Sequence, residues 1–140
     1  MKIEMEWKGN LAIGGTLPSG HPLLMDASES FGGENRGPRP VELLLGALSG
    51  CTGIDILSIL KRMRLEPASF RMELEGERAE EPPKRFTRIH IHYLFEGDLP
   101  EDKVDRAIRL SMEKYCTVAH SLNAEITYDF TLNGKKGNPA

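Results

Sequence analysis

The stretch Val41-Glu42-Leu43-Leu44-Leu45-Gly46-Ala47-Leu48-Ser49-Gly50-Cys51-Thr52-Gly53-Ile54-Asp55-Ile56-Leu57-Ser58-Ile59-Leu60-Lys61-Arg62-Met63-Arg64 decides the fold of this chain. It has helical length, and Pro40 just before it suits a first helical turn, where a missing N–H costs nothing. At 1.5 Å per residue, about 23 residues span roughly 35 Å. A compact globule of this chain length is ~37 Å across, so the helix crosses the whole molecule. Eleven positions, from Leu43 to Met63, make it apolar over most of its circumference, and such a helix must be covered on several sides. One sheet covers one side. The rest calls for other helices or a second subunit, so a homodimer is expected. The run is also long enough for a membrane span. Asp55 at its middle is costly in lipid, so it is read as a buried helix.

Outward from this helix the periodicity changes to that of strands. Upstream, Ile3, Met5 and Trp7 alternate with charged residues, Gly9-Asn10 suits a two-residue hairpin turn, and strands are expected over 11–16 and 21–26. Residues 28–40 hold three glycines, two prolines and two arginines, which reads as a loop. A loop that long in a small domain is often functional. Downstream, Phe70, Met72 and Leu74 alternate with Arg71, Glu73 and Glu75. Ile89, Ile91, Tyr93 and Phe95 alternate with Arg88, His90 and His92. A second helix opens on the acids Glu101 and Asp102, and its apolar face is Val104, Ala107, Ile108, Ser111, Met112 and Tyr115. Residues 117–122 suit a short helical turn, and 126–132 a last strand. The class is α+β with mostly antiparallel pairing, one domain over 1–140, with 133–140 a flexible tail.

Composition narrows the function. Of 140 residues, 39% are hydrophobic and 28% charged, which excludes wholesale disorder and a coiled-coil rod. Lys plus Arg is 18 against 21 Asp plus Glu, so the basic excess of a nucleic-acid binder is missing. The first seven residues alternate charge and bulk, unlike a secretory signal, and a cytoplasmic location is expected. Two cysteines, Cys51 and Cys116, are too few for a disulfide scaffold or a four-cysteine metal site but enough for a redox pair.

Cys51, Asp55, Ser58 and Arg62 fall on one stripe of the long helix (i, i+4, i+7, i+11). A polar stripe on an apolar helix must be satisfied or wet, so Cys51 has polar neighbours. A free Cys that simply packs is an equal alternative. Asp55 would raise a neighbouring thiol's pKa, and a cation would lower it. Cys116 lies at the end of the second helix, with His120 four residues on. Arg39, one residue before Pro40, is either a solvated loop arginine or a cation folded over the cysteine face. Glu42 either complements the helix dipole or holds an arginine in a bidentate pair. His90 and His92 have metal-binding spacing without an obvious third ligand. Gly46, Gly50 and Gly53 lie along a helix, where they read as close packing and not as a phosphate cradle.

The run Gly37-Pro38-Arg39-Pro40-Val41-Glu42 through Gly50-Cys51 resembles the first cysteine segment of the OsmC/Ohr family (osmotically inducible protein C and organic hydroperoxide resistance protein). Glu113-Lys114-Tyr115-Cys116-Thr117-Val118-Ala119 resembles its second, and the Glu-Lys-Tyr run looks closest to the YhfA-like branch. The resemblance implies two sheets wrapped around two long central helices in an intertwined homodimer. It implies reduction of organic hydroperoxides in oxidative-stress defence, with Cys51 as the peroxidatic thiolate and Cys116 as the resolving one. A dithiol reductant would reset the pair, and no metal or other cofactor would be needed. The well-studied peroxidases of the family carry Glu directly after the helix-opening Pro, paired with an Arg. Here that position is Val41 and the acid is Glu42, with Arg39 matched to the Arg. The alternative is a non-catalytic redox sensor or small-ligand-binding protein on the same fold.

Overall fold

In the computed structural model, which describes residues 1–137, the apolar stretch is one helix, α1 (Pro40–Arg62). It closes two residues before the expected Arg64. Arg64 takes a left-handed φ of 61°, and the N–H of Leu65 reaches the carbonyl of Leu60 at 2.9 Å while that of Arg64 reaches Lys61 at 3.0 Å. This pair of bonds satisfies carbonyls that a helix end leaves open. Contacts divide the chain into two compact units, Met1–Gly46 and Ala47 onward, and α1 begins in the first and continues in the second.

The first unit holds β1 (Glu6–Trp7), β2 (Ile13–Thr16) and β3 (Pro22–Met25), antiparallel in that order. β1 is shorter than the alternation from Ile3 suggests, and the turn sits one residue later than Gly9-Asn10. The carbonyl of Gly9 accepts from Ala12 N–H at 2.9 Å, with Asn10 at a φ of 47° inside the turn. The long loop is wound around one carboxylate. Buried Asp26 accepts backbone N–H groups from Ala27 at 2.7 Å, Glu34 at 3.2 Å and Arg36 at 3.1 Å. The bond from Arg36 leads in holding its carboxyl below the usual range. The winding is tight enough that a Cβ on Gly33 or Gly37 would lie 2.2 Å from a carbonyl oxygen, of Ala27 or Leu24 respectively.

The second unit carries β4 (Ser69–Arg78), β5 (Phe86–Glu96), β6 (Glu125–Leu132) and β7 (Lys135–Lys136), ordered β4-β5-β6-β7. The architecture is the expected α+β. β4 pairs β5, and β6 pairs β7, in antiparallel fashion, but β5 and β6 are parallel. A parallel pair needs a crossover, here supplied by α2 (Glu101–Leu110), a π-helical turn (Ser111–Tyr115) and α3 (Thr117–Ser121). The tail differs from expectation. Asn133 and Gly134 take positive φ, which lets Lys135–Lys136 fold back onto β6. Residues 138–140 lie outside the described residues.

The core of this unit is the alternating face of β5 (Ile89, Ile91, Tyr93, Phe95) with Phe130. Leu48, Ile56 and Leu60 of α1 and Val104 and Ile108 of α2 are buried with them. Another α1 stripe is bare: Ala47, Gly50, Ile54 and Leu57 are exposed, Ile54 by 69%. At 100° per residue these four fall within about 80° of one another. A Cβ on Gly46 or Gly50 would touch nothing within 4 Å. By length and composition α1 is also apolar enough to cross a membrane.

Candidate functional site

The second unit brings both cysteines to one place. The two Sγ atoms and a carboxylate oxygen of Asp55 all lie within 4.8 Å of one another. Cys51 and Asp55 sit one turn apart on α1, on the strip between its buried face and its bare face. Cys51 is half-buried and Cys116 fully buried, and both are free thiols.

The π-helical turn explains how Cys116 arrives there. In an unbroken α-helix, Ser111 and Cys116 would point about 140° apart at 100° per residue. Instead the N–H of Cys116 reaches the carbonyl of Ser111, five residues back, at 2.8 Å, and the chain leaves the helix in an extended conformation at Cys116. π-turns inside helices are frequent at functional sites. The Cys116 sulfur then caps α3, accepting the N–H of Ala119 at 3.4 Å.

A buried relay of hydroxyls orients Asp55. Ser111 Oγ donates to Asp55 Oδ2 at 3.0 Å. Thr52 Oγ1 lies 2.9 Å from Ser111 Oγ and 2.7 Å from Tyr93 Oη. A carboxylate only accepts, so the protons run one way: Tyr93 to Thr52 to Ser111 to Asp55. Burial keeps Tyr93 protonated far above the usual phenol range. The cleft beside Asp55 is lined by Asp55, Ser58, Ile59, Arg62 and Tyr115. Asp55, Ser58 and Arg62 of the polar stripe read from the sequence therefore line one cleft, with a cation in it.

Burial also pushes the Cys116 thiol up to about 11. The Ala119 N–H partly offsets this, and the neighbouring Cys51 and Asp55 add to it. Cys116 is thus a neutral thiol at pH 7. The sign for stability follows. A group that prefers to stay protonated in the fold contributes fully below its ordinary value of 9.0 and loses that contribution as pH rises towards 11. Under reductant, the urea midpoint of the reduced chain should fall more steeply between pH 8 and 10.5 than that of Cys116→Ala. Parallel curves would contradict the shift.

Arg39 and Glu42 lie in the first unit. The Arg39 guanidinium is held by the Gly37 carbonyl and Asn35 Oδ1, each at 2.8 Å. Glu42 Oε2 accepts the backbone N–H of Arg39 at 3.1 Å. Glu42 thus covers an N–H ahead of α1 from its first turn instead of gripping a guanidinium bidentately. His90 and His92 do meet a carboxylate the sequence reading overlooked. Both hydrogen-bond Asp129 Oδ1, across the parallel β5–β6 pair, and His90 also pairs Thr127. Partial burial raises the Asp129 carboxyl, and the two imidazole hydrogen bonds more than reverse it, holding it below the usual range.

The sequence reading missed Thr52, Ser111 and Tyr93. Their only signal was a hydroxyl standing in an otherwise apolar periodicity, which looks the same whether the group meets another hydroxyl or a backbone carbonyl.

Comparison with known proteins agrees with this geometry. Residues 32–131 match the family described as OsmC-like protein. Protein YhfA of Escherichia coli (strain K12) is 38% identical over 135 residues, covering 94% of this chain and 98% of that protein. The crystal structure of a hypothetical protein from Aquifex aeolicus VF5 is 30% identical, with a TM-score of 0.76 over 95% of this chain and 99% of that one. An organic hydroperoxide resistance protein OsmC from Legionella pneumophila shares the fold at 14% identity, with a TM-score of 0.61 over 90% of this chain and 98% of that one. Two cysteine segments expected from the sequence, a mixed α+β fold and full-length similarity lead to one statement: this chain belongs to the OsmC-like protein family.

Proposed function

We propose that this protein reduces organic hydroperoxides with its two thiols in a cytoplasmic oxidative-stress defence. The observation that supports it most is the meeting of Cys51, Cys116 and the Asp55 carboxylate within 4.8 Å. Cys51, the more accessible sulfur, attacks the O–O bond as a thiolate. The sulfur takes the distal oxygen and becomes a sulfenic acid, and the other oxygen leaves with a proton as the alcohol. Cys116 then attacks the Cys51 sulfur, forming the disulfide and releasing water. The neutral Cys116 thiol must lose its proton as it attacks, and the leaving hydroxide must gain one. Asp55 beside both sulfurs is placed to carry it. A dithiol reductant restores both thiols and is itself oxidised to a disulfide. Free thiols suit the reducing cytoplasm.

Stoichiometric organic hydroperoxide added to reduced protein tests this. The expected result is loss of both thiols within seconds and a mass decrease of two hydrogens. A Cys51 that stays reduced over minutes would overturn the reading. One observation favours the redox-sensor alternative: Glu42 binds backbone and leaves the Arg39 guanidinium to loop acceptors. Excess hydroperoxide with a dithiol separates the two, since a sensor oxidises once and an enzyme turns over.

The bare stripe Ala47–Gly50–Ile54–Leu57 supports a homodimer, because small residues let a partner helix approach closely and Ile54 and Leu57 offer apolar area. A partner there would border the strip carrying Cys51. Sedimentation at micromolar concentration should give the mass of two chains, and Ile54→Asp should shift it to one. A single-chain mass for the natural sequence would remove the dimer.

A further inference from the structure

We propose that the reduced site is also a zinc site, with Cys51, Cys116 and Asp55 as its three protein ligands. Three observations converge on it. The ligand atoms lie within 4.8 Å of one another, and a tetrahedral ion with zinc–sulfur bonds of ~2.3 Å and zinc–oxygen bonds of ~2.0–2.2 Å holds its ligands roughly 3.5–3.8 Å apart, a closure that small side-chain rotations supply. The donor set, two sulfurs and a carboxylate, is one that zinc accepts. The carboxylate already has the outer support that ligating carboxylates use: Ser111 donates to Oδ2, and Thr52 and Tyr93 stand behind it. Asp55 also lines the cleft of Ser58, Arg62 and Tyr115, the side from which water would supply a fourth ligand.

The same two sulfurs cannot bind zinc and form a disulfide together. Zinc entry displaces both thiol protons and yields a bis-thiolate complex that, with the Asp55 carboxylate, carries one net negative charge. Oxidation removes two electrons from that pair and expels the ion. The metal therefore protects the thiols, and an oxidant releases it. This departs from the metal-free site that the family resemblance implies. It does not depend on the peroxidase reading, because any two-electron oxidant would release the ion.

The test uses the reduced full-length chain with zinc in competition with a chromophoric chelator, and cobalt(II) as a spectroscopic stand-in. One zinc per chain is expected, with a dissociation constant below ~10 μM. Cobalt should give intense near-ultraviolet thiolate charge-transfer absorption. Asp55→Asn should weaken zinc roughly tenfold or more, and Cys116→Ser should remove the cobalt band. One equivalent of zinc should also slow alkylation of Cys51. The disulfide form of the unaltered chain, which needs no substitution to fold, should bind none. Equal binding by the disulfide form, loss of binding in His92→Ala in place of Cys116→Ser, or no competition at all would each overturn the proposal. Hydroperoxide consumption by the metal-free reduced chain is read separately. A chain that binds zinc but spares hydroperoxide keeps this proposal and loses the peroxidase.

Discussion

Cys51→Ser should lower hydroperoxide consumption by roughly 10³-fold or more, because a hydroxyl at neutral pH does not supply the attacking anion that the proposed reaction needs. Cys116→Ser has a different signature. It should consume one equivalent, stop, and leave a sulfenic acid on Cys51 that a dimedone-type reagent traps as a mass adduct. The asymmetry follows from the site. Cys51 is half-buried on the cleft strip, and Cys116 is buried behind it with its thiol pushed up to about 11. Cys51 is the more accessible of the two sulfurs, and Cys116 is a neutral thiol beside it. Equal residual turnover in both variants, measured with excess hydroperoxide and a dithiol, would remove the division of roles.

Thr52→Val should cost about 2–3 kcal/mol of stability, although the two side chains have nearly the same volume. Thr52 is fully buried, and its hydroxyl joins Tyr93 to Ser111. Valine leaves the Tyr93 hydroxyl without that partner in the core, and an orphaned buried group costs about 1–3 kcal/mol. Ser111 loses one partner and keeps Asp55, so its share is smaller. For a chain of this size the loss corresponds to a fall in Tm of roughly 10 °C. The double variant Thr52→Val/Tyr93→Phe should recover about half, because removing both partners is far cheaper than stranding one. Calorimetry of the two variants decides it. A double variant less stable than the single one would mean the relay is incidental to the core.

Much of the layout was legible because periodicity is a local property. The alternation on β5 and β4 marked the strands, and the run from Val41 marked α1 within two residues of its end. Where turn geometry mattered, legibility fell. The Asn133-Gly134 turn was read as the start of a frayed end, and the parallel β5–β6 pairing is not written in either strand. Asp26 was read only as the end of the expected strand 21–26, because its three backbone donors come from residues one, eight and ten positions on.

The site divides along the same line. The polar stripe of Cys51, Asp55, Ser58 and Arg62 came from helical spacing alone, since 100° per residue is a fixed property of the helix. The sequence by itself therefore determined the long helix, the strand faces, the two cysteine segments and the family they point to. That Cys51 and Cys116 meet across 65 positions was decided by tertiary structure. It depends on the β5–β6 crossover and on one wide turn at Ser111–Tyr115. The partner of Glu42 was also found there, since its carboxylate takes the backbone N–H of Arg39. Packing chose the partners of each polar group, and a sequence pattern records only that a partner is needed.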